Sequence, residues 1–212
     1  MLCKPHKGSG EIKRDIFTFS NLIAKSYSIE NDVILFKHER LVWYISSPVR
    51  ELLDVLVDAV LHKNNSIIHI GNEELSIEEV SYVKDPRFTN IMAFTTLSPL
   101  TVSKRVENNY IHYIRYNESD FADAIKTGLI NKYRLIYGYE PRDTGFGFEF
   151  DRKYIERREG KIQKKIQFLK NNIIAYKAPF VISGNPELIK LGYEAGFGER
   201  CNMGFGMAKI IE

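Results

Sequence analysis

Cysteine is nearly missing from this 212-residue chain: Cys3 and Cys201 stand alone, far apart and without histidines at ligand spacing. A disulfide framework and a tetrahedral zinc set are therefore not expected, and no metal or other cofactor is expected either. Long apolar runs are missing too. Even Leu52–Leu61 is interrupted by Asp54 and Asp58, well short of the roughly 18 residues a membrane helix needs. The opening Met1-Leu-Cys-Lys-Pro-His-Lys-Gly has no apolar stretch of the secretory kind, so the expected location is the cytoplasm, with no membrane partner. A strong charge of one sign is also absent, since 30 Lys and Arg against 27 Asp and Glu leave only +3, too little to make the whole surface a polyanion binder.

What is present is 44% hydrophobic and 27% charged sequence, enough for one or two ordinary cores. Its basic residues are unevenly spread. Arg152, Lys153, Arg157, Arg158, Lys161, Lys164, Lys165 and Lys170 face only Asp151, Glu156 and Glu159 over residues 151–170, a local charge of +5.

Residues 16–36 are rich in β-branched and aromatic side chains broken at Ile29-Glu-Asn-Asp, which predicts a hairpin-like start; Leu41-Val-Trp-Tyr-Ile45 predicts a strand. Ser47 followed by Pro48 predicts a helix N-terminus, with Leu52, Leu56, Ala59 and Val60 on one face as far as about His62. Strand patterns return at Ser66–Ile70 and Leu75–Val83, and Lys84-Asp-Pro-Arg marks a boundary between a domain of residues 1–85 and one of residues 86–212.

The second half predicts strands at Ile91–Val102 and Tyr110–Tyr116, then a helix from Ser119 to Gly138 with Phe121, Ala124, Ile125, Leu129, Lys132, Tyr133 and Ile136 on one side. Strands at Gly147–Ile155, Lys161–Leu169 and Ile173–Ile182 follow, then a helix opened by Asn185-Pro186 and closed by Gly196, and a last strand over Gly204–Ile211. This is a βαββαβ order with an extra hairpin, the split βαβ arrangement of an α+β, ferredoxin-like domain. The first half spells only ββαβ, which as a duplicate of the second would lack its opening strand and most of its opening helix.

The most specific stretch is Gly196-Phe-Gly-Glu-Arg-Cys-Asn-Met-Gly-Phe-Gly206, two Gly-Phe-Gly units five residues apart. A dinucleotide fingerprint follows a strand and opens a helix, whereas this segment follows a helix and opens a strand, so a Rossmann-type nucleotide enzyme is disfavoured. Glycines here would let backbone N–H groups approach a phosphate chain, with Arg200 adding charge and Asn202 a hydrogen bond. The run Ile189–Lys209, with Phe94-Thr-Thr-Leu-Ser-Pro-Leu-Thr-Val102 and Phe17-Thr-Phe-Ser20, resembles the CRISPR-associated endoribonuclease family numbered six, of the RAMP superfamily, from His6 onward.

That resemblance implies tandem ferredoxin-like, RRM-related domains that bind the repeat of a CRISPR precursor RNA and cut it once per repeat without a metal. The ribose 2′-OH attacks the adjacent phosphate, leaving a 2′,3′-cyclic phosphate and a 5′-OH, so the substrate is RNA rather than DNA. A base for the hydroxyl, an acid for the leaving oxygen and positive charge against the phosphate are required. By family position His6 is the base, with His38 in reserve, and Lys13 or Arg14 is the nearest cation, although Asp15 stands closest to the strand. The tyrosine many relatives draw from the opening helix has no counterpart here, which leaves the acid unassigned. Catalytic candidates are thus His6, Lys13 and Arg14. RNA-binding candidates are Lys104, Arg105, Arg157, Arg158, Lys161, Lys164, Lys165, Gly196, Gly198, Arg200, Asn202, Gly204 and Gly206. The implied partners are CRISPR repeat RNA, a CRISPR effector complex and a second copy of the chain; the rival reading is a catalytically silent repeat-RNA binder. His62, His69 and His112 read as structural, and an alternating ribbon through Tyr154, Ile155, Ile162, Ile166 and Phe168 presents the basic run as one charged face.

Overall fold

The structure is a computed structural model and describes residues 16–31, 33–36, 40–62, 67–169 and 171–211. In the first half, β1 (Thr18–Phe19) pairs antiparallel with β4 (Ile45–Ser46), and β2 (Ser28–Glu30) with β3 (Val33–Leu35) forms a hairpin that turns at Asn31 with φ 50°. The predicted strand over Leu41–Ile45 shrinks to an isolated bridge, Val42 to Ile23, followed by β4. Helix α1 (Arg50–His62) starts beyond Pro48. The Ser47 hydroxyl donates to the Ile16 carbonyl at 2.6 Å and accepts from the Val49 N–H at 3.1 Å, so it closes a turn ahead of the helix. Leu52, Ala59 and Val60 are half-buried, while Leu56 is 38% exposed. Hairpin β5 (Ile67–Ile70) and β6 (Glu73–Ser76) ends well before Val83, and residues 77–90 run without strand or helix.

The second half carries most of the core. Strand β7 (Ile91–Thr96) ends sooner than Val102, because the Leu97 and Ser98 N–H groups turn to the Met207 carbonyl and Pro99 cannot donate to a ladder. Hairpin β8 (Ser103–Arg105) and β9 (Ile111–Tyr113) follows, then α2 (Asp120–Tyr137), which buries Phe121, Ile125, Leu129 and Tyr133 at helical spacing and stops at Gly138, which has no Cβ to clash in its left-handed conformation. Strand β10 (Phe146–Phe150) gives way at Asp151, whose carboxylate accepts from the Tyr154 N–H and caps α3 (Arg152–Arg157). The expected strand through Ile155 is corrected here: Tyr154, Ile155 and Arg157 are helical, and Arg158 and Lys161 lie in the turn after it.

The expected strand Ile173–Ile182 is two strands, β12 (Asn171–Tyr176), which pairs with β11 (Gln163–Phe168), and β13 (Phe180–Gly184), separated by Lys177-Ala-Pro179. Asn185 caps α4 (Pro186–Ala195) by accepting from Glu187 N–H, and after a short 3-10 turn at Cys201–Met203 the chain ends in β14 (Ala208–Ile210). Strands β10, β13, β7 and β14 form one antiparallel sheet in that order. Numbered within this half, the order is 2-3-1-4 with α2 and α4 as the two crossovers, which is the ferredoxin-like βαββαβ topology. Its centre is aromatic: Phe94, Phe180 and Phe197 are fully buried, with Phe94 5.4 Å from Phe180 and 5.3 Å from Phe197 between ring centroids. Among the described residues no helix is long and apolar enough to cross a membrane.

Candidate nucleic-acid interface

The two phenylalanines of the Gly-Phe-Gly units are plugs. Phe197 enters the sheet–helix core, and Phe205, 4% exposed, enters a second cluster with Ile173 and Ala175, flanked by Tyr113, Ile166 and Met203. Burying a phenylalanine fully is worth about 1.5–3 kcal/mol, so each unit is pinned by its own ring. The glycines make room for the pins. A Cβ on Gly206 would lie 2.3 Å from the Phe197 carbonyl oxygen, one on Gly198 2.5 Å from the Thr101 carbonyl oxygen, and one on Gly204 2.6 Å from the Phe19 ring.

Two of the four glycines have their N–H groups engaged within the chain rather than turned to a phosphate. Gly196, Gly198 and Gly206 are buried; the Gly206 N–H donates to the Pro99 carbonyl at 2.8 Å and the Gly204 N–H to the Cys201 carbonyl at 3.1 Å. On the loop Asn202 is exposed on the 3-10 turn, and Arg200 is half-buried and held at φ 55°. The Arg200 Nε is buried with no hydrogen-bond partner among the described residues, so none of these offsets its desolvation.

Four elements meet the loop. Thr18 on β1 donates its hydroxyl to the Phe205 carbonyl at 2.9 Å. The Glu199 N–H donates to the Thr101 carbonyl, and the Glu199 carboxylate accepts from the Ser103 N–H at 3.1 Å and hydroxyl at 2.7 Å, which ties the loop to β8. Lys132 on α2 reaches its underside. The β11–β12 hairpin lies against Met203 and Phe205.

Strand register sorts the cations. Lys164 is opposite Ala175 and two residues from Ile166, on the hairpin face that packs against Phe205; Lys177, two residues beyond Ala175, shares that face. Burial pushes the half-buried Lys177 amine below its ordinary value, and the Lys164 charge pushes it further the same way. Among the described residues neither lysine has a carboxylate partner, so the fold holds two like charges together beside the loop. Lys165, opposite Ile174, is on the other face.

On the neighbouring hairpin Ser103 is opposite Tyr113, and Arg105 is opposite Ile111, while Lys104 and His112 alternate to the opposite face. There Lys104 is 2.6 Å from Asp120, and His112 is 3.3 Å from Glu118. The hydrogen bond to Asp120 raises the Lys104 value and lowers that of Asp120; Glu118 is lowered first by the Arg115 N–H it accepts. Lys104 therefore lies on the face away from Ser103 and Tyr113, engaged with α2. Lys161 is paired with Glu159 at 2.5 Å, whereas Arg105, Arg157 and Arg158 have no carboxylate partner among the described residues. His6, Lys13, Arg14 and His38 lie outside the described residues. Lys177 and the loop-bound Lys132 are the residues the sequence reading did not assign; the only cue to Lys132 was its place on the apolar stripe of α2.

A four-stranded βαββαβ sheet whose last crossover returns through a glycine-rich loop, flanked by cations without a carboxylate partner among the described residues, defines a ferredoxin-like domain of the RAMP type. Residues 83–210 match the family model described as CRISPR associated protein Cas6, C-terminal, and the chain belongs to the Cas6 family. It is 30% identical over 205 residues to CRISPR-associated endoribonuclease Cas6 1 of Methanocaldococcus jannaschii, covering 94% of this chain and 75% of that protein. It is 28% identical over 196 residues to CRISPR-associated endoribonuclease Cas6 of Pyrococcus furiosus, covering 92% and 70%. Among solved structures, one of a Cas6-related gene from Pyrococcus furiosus superposes with TM-score 0.80 at 26% identity, covering 94% of this chain and 80% of that one. Another, described as an RAMP protein binding different RNA substrates, gives 0.79 at 25% identity, covering 94% and 81%. These matches span both halves, which establishes the tandem RAMP architecture.

Proposed function

We propose that this chain binds the repeat of a CRISPR precursor RNA and cleaves it once per repeat, without a metal. The observation that carries the reading is the hydrogen bond of Thr18 to the Phe205 carbonyl, which fastens β1 to the glycine-rich loop beside Arg200, Lys164 and Lys177, none of which has a carboxylate partner among the described residues. The segment bearing His6, Lys13 and Arg14 joins the described chain at Ile16, next to β1. Cations that anchor the RNA backbone leave the 2′-OH of the ribose preceding the scissile phosphate free to attack it.

In this reading His6 removes the 2′-OH proton, the oxygen attacks phosphorus, and the bond to the 5′ oxygen breaks, giving a 2′,3′-cyclic phosphate and a 5′-OH once that oxygen has taken a proton. Lys13 or Arg14 stabilises the charge gathering on the phosphoryl oxygens. Arg105, Arg157, Arg158, Lys164, Lys165, Arg200 and Asn202 hold the backbone; the division between the halves is near Lys84–Arg87. An effector complex and a second copy of the chain are further partners under this reading. Relatives named endoribonucleases support cleavage. The rival reading is a chain that binds repeat RNA and leaves it whole; the structure described as an RAMP protein binding different RNA substrates supports the binding that both readings share.

Incubation of labelled repeat RNA with the protein in EDTA decides between them. Cleavage that is lost in His6→Ala, and lost with a single 2′-deoxy at the cut site, supports the enzyme. Binding with no product supports the silent binder, and cleavage that stops in EDTA overturns the metal-free chemistry.

A further inference from the structure

The Lys132 side chain ends beneath the glycine-rich loop. Its Nζ lies 2.6 Å from the Gly196 carbonyl oxygen, 3.2 Å from that of Ala195, 3.2 Å from that of Gly198 and 3.1 Å from the Cys201 Sγ. One turn earlier on the same helix face, Gly128 brings α2 close: a Cβ there would be 3.7 Å from the same Gly198 oxygen.

The last carbonyls of a helix have no partner within it and carry its negative end. At α4 the chain leaves through Gly196 at φ 82°, ψ 149°, outside the left-handed helical cap that would satisfy those carbonyls with backbone N–H groups. The Lys132 ammonium takes that place. It gathers two carbonyls from the end of α4 and one from the loop, so the negative end of α4 is neutralised at the spot where the loop turns outward.

We propose that Lys132 is a positioning residue for RNA binding: by knotting the Ala195, Gly196 and Gly198 carbonyls together it fixes the backbone from which Arg200 and Asn202 project and keeps helix-end negative charge from the RNA phosphates. Lys132 itself touches no RNA. The inference rests on the RNA reading above and names the residue that organises its loop. Arg200 depends on this most, because its φ of 55° is a left-handed conformation that a non-glycine residue keeps only when its neighbours enforce it.

The test is a double-mutant cycle of Lys132→Met and Arg200→Ala, with Lys132→Gln beside them, read by anisotropy of labelled CRISPR repeat RNA over a range of salt concentrations. Each variant is measured below its own melting temperature, found by circular dichroism. Lys132→Met is expected to raise Kd about tenfold and to make the salt dependence shallower by about one counterion, as for loss of one phosphate contact. Arg200→Ala should do the same, and the double variant should be no worse than either single one. Lys132→Gln, which keeps a donor, should fall between wild type and Lys132→Met; if Lys132→Met does not fold, Lys132→Gln takes its place in the cycle. A fall in melting temperature with Kd and salt slope unchanged, or effects of the two sites that simply add, would overturn the proposal. Wild-type protein that binds no repeat RNA removes the RNA reading and this inference with it, an outcome distinct from intact wild-type binding that ignores Lys132.

Discussion

Gly206→Ala tests whether the glycines of the loop serve packing. Gly206 has φ +78°, and an added Cβ would sit 2.3 Å from the Phe197 carbonyl oxygen and 3.0 Å from the Phe197 nitrogen. Those are backbone atoms, and the Phe197 N–H also donates to the Gly206 carbonyl at 2.8 Å, so the two residues cannot separate without breaking that bond. The substitution then carries two penalties, about 1–2 kcal/mol for left-handed backbone and about 1–3 kcal/mol for overpacking. Gly71→Ala separates them, because Gly71 has φ +62° with nothing within 4 Å of its Cβ position. Urea unfolding of both variants should show Gly206→Ala the less stable by the steric part alone, about 1–3 kcal/mol. Two variants equal within about 0.5 kcal/mol would refute the packing argument, since the left-handed penalty is common to both.

Gly128→Ala should stabilise the protein by about 0.5–1 kcal/mol, since Gly128 is inside α2 and a Cβ would meet only an ordinary 3.7 Å contact; thermal melts give the sign. Thr18→Val keeps the shape but leaves the buried Phe205 carbonyl without its donor, a loss of about 1–3 kcal/mol by urea unfolding. Asp120 and Glu118 are held below their ordinary values of 3.8 and 4.5, so their contribution to stability is complete above those values and disappears as pH falls through the lower folded ones. Carboxyl NMR titration should place both folded midpoints below the ordinary values, and Lys104→Met should move that of Asp120 back up; an unmoved midpoint would refute the pairing. Lys164→Met should bring the Lys177 amine up towards its ordinary value, which amine NMR would detect as a later titration.

The two crossover helices were readable because their apolar spacing and stops agree: Phe121, Ile125, Leu129 and Tyr133 recur at helical intervals before Gly138, and Asn185-Pro186 opens α4 with a side-chain cap and an N1 proline. The stretch after β10 misled because Tyr154 and Ile155 suit a strand by composition, while the deciding interaction is local: the Asp151 carboxylate on the Tyr154 N–H starts a helix instead. The long strand readings at Ile91–Val102 and Ile173–Ile182 failed for a related reason. Pro99 and Pro179 each lack the N–H that a continuing ladder needs, and at both places the chain turns to serve another element, Ser98 bonding to the Met207 region and the Pro179 carbonyl accepting from Asp151.

At the site, the pattern of glycines was legible and their purpose was not. Periodicity cannot show that Phe197 and Phe205 face inward, so the glycines read as places where backbone N–H groups approach a phosphate; in the fold the rings are the anchors, and the glycines are where neighbouring backbone and rings come too close for any Cβ. The physical consequence is a division of labour. The Gly206 and Gly204 N–H groups are taken by the Pro99 and Cys201 carbonyls, so under the proposed function the RNA backbone is held by side chains, Arg200 and Asn202 on the loop with Lys164 on the hairpin beside it. Side-chain cations grip phosphates in proportion to how well their backbone is held. A loop stapled by two buried phenylalanines, a threonine on β1 and a lysine on α2 holds its backbone fixed, with Asn202 exposed on it and Arg200 half-buried beside it.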